Sequence, residues 1–237
     1  MTAGNHSRPV VLLWDLDGTL LTTARAGLFA FEAALQEVCG VETDLAALET
    51  AGLTDAQVAR LAVESCDCSA DPPTVRAVLE AYERHLPEAL PRRDGHVMPG
   101  VLEVLEDLTG RNDVVSLLLT GNTRAGATAK LRHYGLEGFF TGAGAFCSGP
   151  GTREEIAGHA VAIAQERLGH TPDSDRVFVI GDSPSDIRCG KAIGARTLAV
   201  ASGWHSRQEL EEHEPWLLVE RLPEPARFRK LVGLDRG

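Results

Sequence analysis

The feature that most constrains the fold is a pair of aspartates at the end of the first apolar run. Val10–Trp14 is followed directly by Asp15-Leu16-Asp17-Gly18-Thr19-Leu20. An unbroken apolar run of this length predicts a strand buried on both faces, and the glycine predicts where the chain leaves the sheet. Ligands of open α/β sheets bind at the carboxyl ends of strands. We therefore expect both carboxylates to face a common ligand, and we disfavour an Asp-Gly hairpin turn because no partner strand follows.

The segment from Arg25 to about Pro91 carries helical patterns and no convincing strand. Apolar residues at helical spacing predict three helices, and Thr54 fits the N-cap of the second. The three helices are expected at Ala26–Cys39, Thr54–Cys66 and Pro72–Leu90. We predict an all-helical cap domain over residues 23–94, joined to the rest of the chain by hinges at about Leu21–Arg25 and Arg92–Val97.

From Met98 onward, helices alternate with apolar strands. The strands are expected at Val114–Leu119, Val177–Ile180 and Thr197–Val200, with a short one around Phe139–Phe146. Alternation of this kind is typical of a parallel sheet that has helices on both faces. We predict the α/β class, with a Rossmann-like three-layer parallel-sheet core over residues 9–22 and 95–237 and the helical cap inserted into it.

Three of these strands end in polar groups. Asp15 and Asp17 follow the first, Thr120-Gly121-Asn122 follows the second, and Asp182 follows the third, with Asp186 four residues later. In a parallel sheet these ends share one edge, where several carboxylates would repel one another unless a cation is bound. Mg²⁺ is the natural cation for oxygen ligands, and phosphate suits the helix N-terminus after Thr120. Ser183 and Asp186 also fit a capping box, which is compatible with Asp182 pointing from the strand end.

Charge and cysteine content narrow the classes of function. Lys plus Arg number 23 against 34 Asp plus Glu, a formal net charge of −11 that argues against a nucleic-acid or anionic-membrane surface. We expect no secretory leader and no membrane span, because no apolar stretch is long enough. The five cysteines are odd in number and scattered, and Cys66-x-Cys68 is interpreted as two small apolar residues rather than a zinc site. We expect a cytoplasmic monomer or homodimer whose partner is a small molecule.

The motifs at the strand ends resemble those of haloacid dehalogenase superfamily phosphatases, in the phosphoglycolate-phosphatase-like subgroup with a helical (C1-type) cap. The resemblance rests on Asp-Leu-Asp-Gly-Thr-Leu at 15–20, Leu-Leu-Thr-Gly-Asn at 118–122 and Gly-Asp-Ser-Pro-Ser-Asp at 181–186. Gly52-Leu53-Thr54-Asp55 is similar to a stretch that recurs in the cap of that subgroup. The likeness covers roughly residues 10–220.

The resemblance implies a role for each matched residue. Asp15 would be the nucleophile that forms an aspartyl phosphate, and Asp17 the general acid and base. Thr120 and the metal would offset charge on the phosphoryl oxygens. Mg²⁺ would be held by Asp15, the backbone carbonyl of Asp17 and Asp182, with Asp186 close by. The aspartate at position 17 favours phosphoryl transfer, because the dehalogenating branch of the family lacks it.

The family also has a lysine or arginine that bridges nucleophile and phosphate, and here two residues are candidates. No lysine lies in residues 149–155, where Arg153 is the only cation, and Lys130 lies on the helix after Asn122. Arg153 could be a mere first-turn residue and Lys130 part of a solvated helix face. A cation is disfavoured near a helix N-terminus, so its presence there suggests a use and slightly favours Arg153.

Substrate contacts are expected from the strand-end loops and from the cap. The candidates are Gly18, Gly121, Asn122, Arg25, Gly27, Thr54 and Asp55, with Arg124 as a further phosphate-side residue, whereas His205 and the other histidines are expected to be structural. The predicted function is a Mg²⁺-dependent phosphatase of a small phosphomonoester, which could be phosphoglycolate-like, a sugar phosphate or a nucleotide. The alternatives are a phosphosugar mutase of the same family and a non-catalytic homologue that binds a phosphate ligand.

Overall fold

The structure is a computed structural model that describes residues 8–66, 68–140, 143–149 and 151–235. The strands are β1 (Val10–Trp14), β2 (Leu21–Thr22), β3 (His96–Val97), β4 (Val114–Thr123), β5 (Gly144–Cys147), β6 (Val177–Gly181), β7 (Arg196–Val200) and β8 (Leu217–Val219). The helices are α1 (Gly27–Cys39), α2 (Asp55–Glu64), α3 (Pro72–Ala89), α4 (Val101–Leu108), α5 (Arg124–His133), α6 (Glu137–Phe140), α7 (Arg153–Leu168), α8 (Pro184–Ala192), α9 (Arg207–Glu212) and α10 (Pro225–Val232). Within the described ranges, no helix has both the length and the apolar character needed to cross a membrane.

A six-stranded parallel sheet forms the centre of the molecule, in the order β5-β4-β1-β6-β7-β8. Alternate residues of β1 face opposite layers. Leu12 and Trp14 pack in the cluster that includes residues of α4, α5 and α10, whereas Val11 and Leu13 pack in the cluster that includes residues of α7. Burial on both faces explains why this strand is continuously apolar. The parallel sheet between two helical layers confirms the predicted α/β class.

β1 lies next to the point where the direction in which successive strands are added to the sheet reverses. From β1 the chain continues to β4 and β5 on one side, and from β6 it continues to β7 and β8 on the other. Leu13 of β1 is paired with Leu117 of β4 and with Val179 of β6. The carboxyl ends of β1, β4 and β6 therefore lie side by side, at the position where ligands of open α/β sheets bind.

Helices α1, α2 and α3 form a separate layer with its own apolar cluster. The rings of Phe31 and Tyr82 stack within it, with centroids 3.9 Å apart. Thr54 caps α2 and Asp71 caps α3, so both helices begin at side-chain caps. We propose residues 23–94 as a cap domain on this basis, with the core over residues 9–22 and 95–237, of which 141–142, 150 and 236–237 lie outside the described residues.

The chain passes between the core and this helical layer through a short two-stranded ribbon. β2 pairs with β3 in antiparallel orientation, Leu21 with Val97 and Thr22 with His96. Ala24 and Arg25 follow with positive φ angles of 48° and 67°. The ribbon lies within the segments predicted as hinges. Strands of two residues carry no periodicity, and the sequence analysis did not identify them, nor β8 or the extension of β4 beyond Leu119.

Candidate active site

Three buried carboxylates meet at the edge of the sheet. Asp15 follows β1, Asp182 follows β6 and Asp186 is in the first turn of α8, and one oxygen of each lies within 4.8 Å of the others. Thr19 Oγ1 donates a hydrogen bond to Asp182 Oδ1 at 3.1 Å. Gly18 has a φ of +88°, and a Cβ there would overlap the Asp182 carboxylate, so the turn after β1 requires glycine.

Burial and the neighbouring carboxylates disfavour ionisation of Asp15 and Asp182. Burial raises the pKa of Asp15 to about 7, with Asp186 adding to the rise and Arg153 opposing it. Burial also raises the pKa of Asp182 well above its usual range, with the Asp15 charge adding to it. A bound divalent cation would remove the repulsion. The donor set consists of oxygen atoms alone and fits Mg²⁺, for which Asp15, Asp182 and Asp186 are the candidate ligands.

Arg153 is the cation that contacts this cluster. Its Nη2 donates to Asp15 Oδ1 at 3.0 Å and also to Asp186 Oδ1. Burial opposes the charged form, but Asp186 and Asp15 raise the pKa of the guanidinium above its ordinary value. Thr152 and Glu155 form a capping box that fixes the first turn of α7, where Arg153 lies. Two carboxylates thus compensate a cation that the helix dipole would otherwise disfavour.

Lys130 contacts a different carboxylate. Its Nζ donates to Asp17 Oδ2 at 2.6 Å and to Asn122 Oδ1 at 2.5 Å. Asn122 Nδ2 donates to Asp17 Oδ2 at 2.7 Å and to Thr120 Oγ1 at 2.9 Å. The Lys130 side chain is buried, whereas that of Asp17 is 40% exposed. The two buried cations therefore contact different carboxylates: Arg153 contacts Asp15, and Lys130 contacts Asp17.

The cap side of the site is held against the core by Asp55. Its Oδ2 accepts a hydrogen bond from the backbone N–H of Thr123 at 2.8 Å. Burial raises the pKa of Asp55 to about 6, with Lys130 opposing the rise. The neighbouring Thr54 uses its hydroxyl to accept the backbone N–H of Gln57, 3.2 Å away, within a capping box.

Arg25 lies at the mouth of the site. Its Nη2 donates to the carbonyl oxygens of Ala46 and Leu48, at 2.9 and 2.8 Å. Its guanidinium carbon lies 5.6 Å from the centroid of the Trp204 ring. Trp204 is 64% exposed and belongs to the loop after β7, so the contact joins the hinge region to the core.

A cavity of about 130 Å³ lies between the sheet edge and the helical layer. Most of the residues predicted from the sequence line it: Asp15, Asp17, Gly18, Arg25, Gly27, Asp55, Asn122, Lys130, Arg153 and Asp182. Thr54, Thr120, Gly121, Arg124, Asp186 and His205 are not lining residues. Asp186 contacts Arg153, and Thr120 contacts Asn122. The guanidinium carbon of Arg124 lies 4.3 Å from the centroid of the Phe146 ring.

Gly121 lies where the cap loop approaches the core, since a Cβ there would be only 2.9 Å from the Leu53 carbonyl oxygen. Thr19, Gly203 and several lining residues, Trp204 among them, were not among the site residues expected from the sequence. Gly203 packs so closely on Asp182 that a Cβ would overlap its carboxylate. Both Gly203 and Trp204 follow β7, so the rule that ligands meet strand ends could have identified their loop.

Comparisons with known proteins identify the family and the fold. The sequence model of one family, described as haloacid dehalogenase-like hydrolase, matches residues 12–191. "Probable phosphatase IndB" of Dickeya dadantii (strain 3937) is 30% identical over 226 residues, 92% of this chain and 91% of the relative. The phosphoglycolate phosphatase of Synechococcus elongatus (strain ATCC 33912 / PCC 7942 / FACHB-805) is 29% identical over 142 residues, 60% of this chain and 62% of the relative. The crystal structure of a predicted phosphatase from Clostridium acetobutylicum has a TM-score of 0.71 at 20% identity and covers 96% of this chain and 100% of its own, a likeness of fold.

Proposed function

The chain belongs to the haloacid dehalogenase-like hydrolase family, as a phosphatase, and from this premise we propose that it is a Mg²⁺-dependent enzyme that hydrolyses a small phosphomonoester through an aspartyl phosphate. One observation carries the proposal. A nucleophile candidate, an acid–base candidate, a metal-binding carboxylate and two cations line the same cavity: Asp15, Asp17, Asp182, Arg153 and Lys130.

In the proposed mechanism, Asp15 attacks phosphorus in line with the bond to the leaving oxygen. The bond from phosphorus to Asp15 forms as the bond to the leaving oxygen breaks, and Asp17 gives that oxygen a proton. Asp17 then takes a proton from water, which attacks phosphorus and releases Asp15. Mg²⁺, held by Asp15, the Asp17 backbone carbonyl, Asp182 and Asp186, would neutralise charge on the phosphoryl oxygens.

We assign different tasks to the two cations. Arg153 contacts Asp15 and is the bridging cation of nucleophile and phosphate. Lys130 and Asn122 both donate to one oxygen of Asp17, which fixes the carboxylate in the cavity while its other oxygen stays available for proton transfer. Positioned donors of this kind act in the transition state without further reorganisation.

The alternatives use the same residues and differ in the fate of the phosphoryl group. A phosphosugar mutase would return it to a sugar, and a non-catalytic homologue would only bind the ligand. A cavity of about 130 Å³ has little room for a sugar that carries two phosphates, which favours hydrolysis.

We further propose a cytoplasmic monomer or homodimer that acts on a small molecule, in keeping with five free cysteines.

The test is phosphate release from a panel of small phosphomonoesters, with Mg²⁺ and with chelator, for the wild type and for Asp15→Asn. We expect metal-dependent release by the wild type and a loss of about 10³-fold or more in the variant, because an amide is a poor nucleophile. Asp175→Asn, in an exposed turn, is the control that should retain activity. Binding of phosphate ligands with no release from any substrate by a folded, Mg²⁺-loaded wild type would refute the phosphatase.

A further inference from the structure

Part of the cap side of the cavity is an apolar and aromatic wall, and the polar residues Thr23, Arg25, Thr50 and Asp55 complete that side. The wall consists of Leu28 and Phe31 on α1, Leu53 on the following loop, Val58 on α2 and Tyr82 on α3. Four of these side chains are buried, and Leu53 is half-buried. The phosphoryl-binding groups lie on the opposite side, at the ends of the strands. The leaving group of a bound phosphomonoester therefore faces this wall.

The charged groups on the cap side are already engaged with the protein. Arg25, the only cap-side cation among the described residues that line the cavity, uses Nη2 to hold the carbonyl oxygens of Ala46 and Leu48. Asp55, the only cap-side carboxylate among them, accepts from the backbone of Thr123, and the Tyr82 hydroxyl is hydrogen-bonded to it. The apolar wall itself therefore offers an anionic leaving group no cation, the Asp55 carboxylate would repel it, and Arg25 is held by the two carbonyl oxygens.

The cavity also limits the size of the leaving group. Its volume of about 130 Å³ corresponds to only about four water molecules, at roughly 30 Å³ each. Cavities that hold ligands of nucleotide size typically measure about 300 Å³ or more. The volume therefore favours a compact leaving group.

We propose that the substrate is the phosphate ester of a compact, uncharged and largely apolar alcohol, and that the wall of Leu28, Phe31, Leu53, Val58 and Tyr82 selects it. The proposal rests on the proposed function and narrows its substrate class. A carboxylate that lies against this wall loses its hydration and gains no cation from the wall. An apolar group of the same size does not incur this free-energy cost.

The experiment compares three substrates of similar size in the presence of Mg²⁺. Isobutyl phosphate carries an apolar branch, 2-phosphoglycolamide a neutral polar one, and 2-phosphoglycolate a carboxylate. We expect kcat/KM to be highest for isobutyl phosphate and at least about tenfold lower for 2-phosphoglycolate. The neutral amide separates the effect of charge from that of polarity.

A variant with a new cation on the wall tests the assignment to these residues. Leu53→Lys should raise kcat/KM for 2-phosphoglycolate relative to isobutyl phosphate by about tenfold. Leu61→Lys is the matched control, because Leu61 lies on α2, is 36% exposed and does not line the cavity. If the ratio of kcat/KM for the two substrates is the same in Leu53→Lys as in the wild type, the assignment is contradicted.

The outcomes separate this inference from the proposed function. Phosphate release that Asp15→Asn abolishes, together with a preference for 2-phosphoglycolate in the wild type, would overturn the inference and leave the phosphatase intact. Release from no substrate at all would overturn both. A preference for isobutyl phosphate that Leu53→Lys reduces by about tenfold, and that Leu61→Lys leaves unchanged, is the expected result.

Discussion

At the scale of single residues, the site depends on buried charges that compensate one another across long distances in the sequence. Arg153 meets Asp15 and Asp186, and Lys130 meets Asp17, from positions 33 to 138 residues away. Asp55 is different, because its hydrogen bonds come from the backbone N–H of Thr123 and the Tyr82 hydroxyl, which are uncharged groups, and burial still raises its pKa. It holds the cap against the core at a cost that depends on pH.

Asp55 should make the protein less stable as pH rises. Its pKa increases from 3.8 in the unfolded chain to about 6 in the folded protein, because burial disfavours the carboxylate. Between pH 4 and 6 the native state binds more protons, so the free energy of unfolding falls with rising pH, by about 3 kcal/mol in total. Asp55→Asn preserves the shape and can still accept from Thr123, and should remove this dependence.

Urea denaturation at pH 4 and pH 7, with chelator present, measures the effect. The difference in the free energy of unfolding, Asp55→Asn minus wild type, should increase by about 3 kcal/mol from the lower to the higher pH. Asp175→Asn, in an exposed turn, is the control and should show no such change. An equal pH dependence in wild type and Asp55→Asn would contradict the argument.

At the scale of elements, capping boxes place the functional side chains. The box of Thr152 and Glu155 sets the first turn of α7 and with it Arg153. The box of Ser183 and Asp186 sets α8, and its acid also contacts Arg153. The sequence analysis weighed capping against function for residues 183–186, and in the structure Asp186 makes both sets of contacts. A local pattern thus predicted the start of α8, because a cap is made within four residues.

Thr152→Ala should weaken the helix and the site together. Loss of the cap costs about 1 kcal/mol of stability, and a looser first turn should lower kcat by at least about threefold, because Arg153 no longer holds its position. Ser206→Ala is the control, since Ser206 and Glu209 form the same box at α9, away from the cavity. Both variants should lose similar stability in urea denaturation, and only Thr152→Ala should lose activity. Equal activities would show that the cap does not position Arg153.

At the scale of the whole molecule, the sheet brings together groups that neither β1 nor β6 could assemble alone. Parallel neighbours β1 and β6 carry Asp15 and Asp182 to one edge, and the cluster with Asp186 exists only when the sheet is formed. The helical layer then closes the space above it. Binding of a metal to the three carboxylates would therefore be linked to folding of the entire core.

Mg²⁺ should consequently raise the midpoint of thermal unfolding. At about 100 times its dissociation constant the cation adds about 2.7 kcal/mol, which corresponds to an increase of about 5–10 °C for a chain of this size. Asp182→Asn should lose this increase while remaining folded, because its removal relieves repulsion in the cluster. Calorimetry with and without Mg²⁺ measures the shift, and Asp175→Asn should keep it. A full shift in Asp182→Asn would place the metal elsewhere.

The order of residues along the chain determined the features that depend on near neighbours. An apolar run predicts a buried strand, helical spacing and a cap predict a helix, and a carboxylate after a strand predicts a site, as for Asp15 and Asp182. The tertiary structure decided which cation meets which carboxylate, that Asp55 and not Thr54 lines the cavity, and that Leu28, Phe31, Val58 and Tyr82 also line it. Those outcomes depend on strand register and on how the helical layer packs against the sheet. Both are set by contacts between residues far apart in sequence, which no local pattern encodes.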